Sequence, residues 1–188
     1  MEELLFDSIR MKIPDAQFRM STDSMVLADF CRIKSGSRVL DLGCGCGTLG
    51  LLLLGADGTL HVSGIEIQEA AACQAQENAE ENGFSDHLHI VCGDLWQAHA
   101  EIAPGGFDCV LSNPPYYPPK SGHLHTQDSL CAARSEICCP FDALCAAAAR
   151  ALRWGGRFFL VHKPERLVDL MTGLRAAWLE PKRIRFVR

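Results

Sequence analysis

The sequence predicts an α/β protein on a mostly parallel, twisted sheet with helices on both faces, and three observations carry that expectation. Short apolar runs alternate with helix-forming stretches, a glycine-rich turn separates the first central run from a leucine-rich segment, and acidic residues fall at the ends of several runs. Alternation of this kind marks strand–helix–strand units, whose crossovers cover both faces of a parallel sheet.

The elements follow in chain order. "STDSMVLADFC" (21–31) reads as a short helix with Ser21 or Thr22 as its N-cap, since a hydroxyl there accepts from an N–H that lacks an intrahelical partner. Strands are expected at "RVLDL" (38–42), "LHVSGIEI" (60–67), "HLHIV" (87–91), "FDCVLS" (107–112), "RFFLVH" (157–162) and "RIRFV" (183–187). Between them, "QEAAACQAQENAEEN" (68–82) is rich in good helix formers and stops at Asn82-Gly83. "PFDALCAAAARAL" (140–152) starts with Pro140 in its first turn and stops at Gly155-Gly156. No repeat and no linker marks a second domain, so 1–35 reads as an N-terminal segment with a short helix and 36–188 as the body of one domain.

Composition bounds the function. At 188 residues, 48% hydrophobic and 22% charged, the chain can bury one ordinary globular core. "MEELLFDSIRM" lacks a basic region followed by an apolar run, and "LGLLLL" (49–54) is far too short to span a bilayer, so a cytoplasmic protein without a membrane partner is expected. The ten cysteines are scattered and read as reduced, mostly buried thiols. Neither the Cys44/Cys46 pair nor the adjacent Cys138 and Cys139 has zinc-ligand spacing, and His123 and His125 lie in a polar stretch, so no metal is expected. Residues 1–149 carry 8 Lys/Arg against 20 Asp/Glu (−12) and residues 150–188 carry 10 against 3 (+7), which together give −5. A basic last third on an acidic chain fits a local phosphate-binding face, and equally an ordinary mixed surface.

"VLDLGCGCGTLGLLL" (39–53) is a strand, a glycine turn and a helix. Gly43, Gly45 and Gly47 permit positive φ and close approach of a ligand, and the following helix start offers N–H donors. From Gly45 the segment satisfies G-x-G-x-x-G, with Glu66 about twenty residues on, so a dinucleotide enzyme is one reading. Asp41 argues for another, because a carboxylate just before the glycines repels a pyrophosphate and attracts a cation. Glu66 can accept both hydroxyls of a ribose and Asp94, in "CGDL", an adenine amino group. Three acids at strand ends suit a positively charged adenosine compound.

"LDLGCGCGTLG", "GIEIQ", "CGDL" and "SNPPY", in that order and spacing, resemble the class I S-adenosylmethionine-dependent methyltransferases of the N-P-P-Y amino-methylating type, whose fold is Rossmann-like. "FRMSTDSMVLADF", "AARSE", "PERLVDLM" and "LEPKRIRFV" are similar to the bacterial methyltransferases of adenine N6 in valine tRNA. The resemblance implies S-adenosyl-L-methionine as cofactor, S-adenosyl-L-homocysteine as product, and an RNA partner, tRNA above all. It places Asp41, Gly43 and Gly45 on the methionine part, Glu66 on the ribose and Asp94 on the adenine, with Ile67 among the cofactor-binding residues and Thr22 and Asp23 packing near the cofactor. Thr22 and Asp23 read equally well as a helix start.

"LSNPPYYPPK" (111–120) then acquires a chemical reading. Two prolines lock a stiff extended turn, so Asn113 Oδ1 and the Pro114 carbonyl can be held as acceptors against the hydrogens of a poorly nucleophilic amine. Tyr116 would stack on the exposed base. By resemblance Tyr117, Arg134 and Glu136 border the substrate, although Ser135 stands where the family more often has His. Rival acceptors are a glutamine amide of a release factor and the N2 amine of an rRNA guanine. The family fold ends in a strand hairpin that this sequence leaves incomplete after "RIRFVR", which reads as a C-terminal truncation. An exposed sheet edge is then expected, giving a homodimer through that edge or a disordered tail after about Pro181.

Overall fold

The computed structural model describes residues 2–5, 9–13, 22–95, 103–114 and 141–187. In chain order they form β1 (Glu2–Leu5), β2 (Ile9–Lys12), α1 (Thr22–Phe30), β3 (Arg38–Leu42), α2 (Thr48–Ala56), β4 (His61–Glu66), α3 (Glu69–Glu81), β5 (Leu88–Cys92), β6 (Phe107–Ser112), α4 (Phe141–Ala151), β7 (Leu152–Leu160), a 3-10 turn at Pro164–Arg166, and α5 (Leu167–Ala176). The main sheet has the order β5-β4-β3-β6-β7, and every neighbouring pair in it is parallel.

Strand β3 takes the centre because Val39, Leu40, Asp41 and Leu42 are all buried, as a strand covered on both faces requires. One face of the sheet packs under α1, α2 and α3 through Leu27, Leu51, Leu54, Val62 and Leu111. The other packs under α4 through Leu40, Leu42, Val110, Leu144 and Ala148. The chain fills β3, β4 and β5 outward on one side and then returns to place β6 on the other side of β3. That reversal opens a crevice between the carboxyl ends of β3 and β6, the usual ligand position in sheets of this kind.

A hairpin of β1 and β2, absent from the sequence expectation, meets α3 through β2. Ile9 and Met11 point into the core, while Asn78 of α3 and Asn82, just past its end, serve the hairpin backbone like an added strand. Arg10 N donates to Asn82 Oδ1 at 2.9 Å and Lys12 N to Asn78 Oδ1 at 2.8 Å. Asn78 Nδ2 in turn donates to Lys12 O and to Cys46 O, each at 3.0 Å, so one buried amide ties the hairpin to the glycine turn.

Several expected boundaries shift. Helix α4 stops at Ala151 rather than at Gly155-Gly156, and β7 covers Leu152–Leu160 instead of 157–162. The glycines serve a bulge: Phe107 pairs with Leu152 and Cys109 with Arg157, so the intervening residues loop out, with Gly155 at φ +73°. Thr22 is the first helical residue of α1 and not its cap, and Ser21 lies outside the described residues. The run 183–187 is not a strand. Its arginines find partners on α1 instead: Arg183 Nη2 donates to Phe30 O at 2.6 Å with its guanidinium 4.1 Å from the Phe30 ring centre, and Arg185 pairs with Asp29 at 2.6 Å. Strand propensity yields here to contacts of Arg183 and Arg185 with the neighbouring helix. Strand β7 is an edge, and it carries the bulge and the exposed Arg153 and Arg157, devices by which edges avoid pairing with another chain.

Candidate functional site

The carboxyl ends of β5, β4, β3 and β6 bring the strand-end residues together. Asp41 on β3 is in register with Gly64 on β4 and Leu111 on β6, so the glycine turn after β3 and Asn113 after β6 leave the sheet side by side. Glu66 is in register with Cys92, two residues before Asp94, and Gly93 N donates to Glu66 O at 2.9 Å. Ile67 is 46% exposed at the same edge, an apolar surface beside two acids.

The turn is fixed by β4. Gly43 N and Cys44 N both donate to Ile65 O, at 2.9 and 3.0 Å. Gly43 and Gly45 have φ of +76° and +55°, conformations that side chains oppose, and a Cβ on either would meet nothing within 4 Å. The space over the turn is therefore open to a ligand. Gly64 has the opposite role, since a Cβ there would sit 2.7 Å from Cys44 Sγ.

Glu66, only 6% exposed, accepts from Gly45 N through Oε2 and from Gln68 N through Oε1, each at 2.9 Å. Each oxygen keeps capacity for a second donor such as a hydroxyl. The carboxylate thus shapes the turn, a structural duty that the sequence did not disclose.

Asp41 differs. It is 1% exposed, and neither of its oxygens has a hydrogen-bond partner among the described residues. Burial, and secondarily the charge of Glu66, push its carboxyl from 3.8 up to about 7. An orphaned buried acid costs stability unless a cation or donor meets it, so the residues present fit a positively charged ligand lying over the turn. Burial likewise raises the Cys44 thiol well above its usual value and Cys46 to about 11, so neither is a thiolate nucleophile.

Strand β6 delivers Asn113 and Pro114, both half-buried. Ser112 Oγ donates to Leu42 O at 2.8 Å, locking the ends of β6 and β3 together. Asn113 Nδ2 donates to Ser24 Oγ of α1 at 3.0 Å. Of the expected α1 contributors, Thr22 is exposed and Asp23 half-buried, whereas Ser24, which sequence reasoning missed, makes this bond to Asn113. A signal existed: Ser24 stands three residues before the buried Leu27, on the same helical face. Tyr116, Tyr117, Arg134 and Glu136 lie outside the described residues. Among the described residues no group of His, Cys, Asp or Glu is arranged to hold a metal, and no helix is long and apolar enough to cross a membrane.

Comparison with known proteins agrees with this geometry. The chain is 32% identical over 162 residues to a tRNA1(Val) (adenine(37)-N6)-methyltransferase of Dickeya chrysanthemi, covering 85% of itself and 63% of that protein. It is 38% identical over 104 residues to the protein of the same name in Proteus mirabilis, covering 55% of itself and 41% of that protein. The chain thus spans less than two thirds of these curated relatives. Among solved structures, a predicted O-methyltransferase from Agrobacterium tumefaciens superposes with a TM-score of 0.63 at 21% identity, covering 80% of this chain and 66% of that one. TrmN from Thermus thermophilus gives 0.60 at 24%, covering 80% and 40%. A methyltransferase from Thiobacillus denitrificans in complex with S-adenosyl-L-homocysteine gives 0.54 at 20%, covering 75% and 48%. These likenesses show the Rossmann-like class I methyltransferase fold. The model of the methyltransferase small domain family matches residues 17–171, most of the chain and every described site residue, and the chain belongs to that family.

Proposed function

We propose that the protein is an S-adenosyl-L-methionine-dependent methyltransferase acting on the exocyclic N6 amine of an adenosine in tRNA. The observation that carries the cofactor half is Asp41, a buried carboxyl without a hydrogen-bond partner among the described residues, beside an open glycine turn. Asp41, Gly43 and Gly45 would hold the cationic amino-acid end, Glu66 the ribose hydroxyls, and Ile67 and Asp94 the adenine, with Thr22 and Asp23 flanking. When bound, the cofactor supplies an electrophilic methyl group on a sulfonium, an already activated leaving group.

The chain's own contribution is position and electrostatics. Asn113 Oδ1 and the Pro114 carbonyl accept from the target amine, drawing its nitrogen towards tetrahedral geometry and stabilising the positive charge that develops on it. Tyr116 stacks on the base, and Tyr117, Arg134 and Glu136 border it. No side-chain base is needed, because the proton can leave after transfer. The names of the relatives support an adenosine of valine tRNA, at position 37, as substrate, and such a substrate is met in the cytoplasm. The basic residues beyond 149 supply charge suited to its phosphates.

The deciding experiment incubates bulk unmodified tRNA with protein and S-adenosyl-L-methionine, digests it to nucleosides and weighs them. N6-methyladenosine is the expected product. Methylated guanosine, or methyl transfer to a release-factor glutamine with none to tRNA, would replace this reading by one of its rivals.

A further inference from the structure

We propose that Ser24 is a positioning residue for Asn113: it turns the amide so that its oxygen, and not its NH2 group, meets the target amine. The inference rests on the methyltransferase reading for what Asn113 does, and on the geometry alone for what Ser24 does. The two ends of an asparagine amide are nearly equal in size, and its terminal torsion is broad, so sterics alone do not choose between them. A hydrogen bond does. Ser24 Oγ accepts from Asn113 Nδ2 at 3.0 Å across 89 residues of sequence, which directs Oδ1 to the opposite side of the amide.

Two features make this bond more than a passing contact. Ser24 is 6% exposed, and a buried hydroxyl without a partner is costly, so the serine is held to the amide as firmly as the amide to it. The helix that carries it is also seated at both faces. Leu27, one turn on and 1% exposed, enters the core. Arg183 holds the Phe30 carbonyl and Arg185 holds Asp29 from outside. Because α1 does not shift easily, the oxygen of Ser24 is a fixed reference for the Asn113 side chain.

Deleting the hydroxyl removes this bond from the amide. Without the bond that favours the productive orientation, the amide populates states that present an N–H donor to the amine's hydrogens, which repels them. The Ser24→Ala variant is therefore expected to lose about tenfold in kcat, the size of one ordinary hydrogen bond, with S-adenosyl-L-homocysteine affinity and KM for tRNA within twofold of wild type. Ser24→Thr, which restores a hydroxyl, should regain most of the loss. A double-mutant cycle separates positioning from general damage: in an Asn113→Ala background, Ser24→Ala should cost nothing further. An undiminished kcat in Ser24→Ala, or a loss that adds in full on top of Asn113→Ala, overturns the proposal. An independent readout does not depend on catalysis. In protein labelled with 15N at asparagine side chains, the Asn113 NH2 signals of ligand-free wild type should move or broaden in Ser24→Ala and return in Ser24→Thr. Unmoved signals overturn the assignment of Ser24 even where methyl transfer is observed. If wild type methylates no tRNA while those signals do respond, the function reading fails and the Ser24–Asn113 coupling stands.

Discussion

Replacing Asp41 by Asn should make the ligand-free protein more stable, and more so the higher the pH. The folded carboxyl titrates at about 7 against 3.8 when unfolded. At about 1.4 kcal/mol per tenfold change in proton affinity, ionising it inside the fold costs about 4 kcal/mol. The sign follows from where the proton is held. The native state binds the proton more tightly, so below pH 3.8 both states are protonated and nothing is lost. As the pH rises through the window from 3.8 to about 7 the unfolded state gives up its proton first, and stability falls until the folded carboxyl has ionised as well. By pH 5 about 1.5–2 kcal/mol of the cost is present, and by pH 8 nearly all of it. The Asp41→Asn variant has similar shape and no charge at either pH, while Glu66 and the thiols are common to both proteins. Its stability advantage should therefore be about 2–3 kcal/mol larger at pH 8 than at pH 5. Urea unfolding of ligand-free protein at the two pH values measures it, with equal m-values as the check that the end states are unchanged. The same variant should bind S-adenosyl-L-methionine far more weakly, since the acid that burdens the empty fold is the one proposed to meet the cation. An advantage that is equal at both pH values would falsify the reasoning, because Asp41 would then not be a buried acid titrating near neutrality.

Other outcomes follow from the site. The Asn113→Ala variant should lose about 10²- to 10³-fold in kcat with little change in cofactor affinity, whereas Tyr116→Ala should lose a stacking surface worth about 1–3 kcal/mol per base; single-turnover methylation of unmodified valine tRNA distinguishes the two. Glu66→Gln should weaken S-adenosyl-L-homocysteine binding by about 1.5–3 kcal/mol by calorimetry and also lower the unfolding midpoint, because one backbone N–H of the turn then faces an NH2 group. Light scattering over a wide concentration range should show a monomer, given the bulge and arginines on the β7 edge; a dimer abolished by proline at an outward N–H of β7 would show that those devices fail.

The centre of the fold was legible because its residues have one use. In Arg38–Leu42 and Phe107–Ser112 nearly every side chain is buried, so an apolar run bounded by polar residues could be read to its last residue. Gly155-Gly156 misled because a glycine pair both ends helices and builds bulges, and only the pairing of Cys109 with Arg157 selects between them. "RIRFV" has strand composition, but a strand needs a partner edge, and Arg183 and Arg185 had α1 within reach. At the site, Asp41 stood out as an acid inside an apolar run. Ser24 did not, since a serine near a helix start reads as part of a cap and nothing local points to a residue 89 positions away. Helix α5 escaped notice although Pro164 opens the turn before it.

The carboxylate of Glu66 grips one N–H from the turn after β3 and another from the turn after β4. Two loops that sequence separates by some twenty residues thereby behave as a single rigid rim, assembled when the chain folds and before any ligand arrives. The entropy of ordering them is charged to folding and not to binding. An adenosine compound should accordingly dock onto a surface that is already in shape, with an association rate set by diffusion and orientation and little temperature dependence from loop closure. Differences in affinity among nucleoside analogues should then appear almost wholly in how fast they leave.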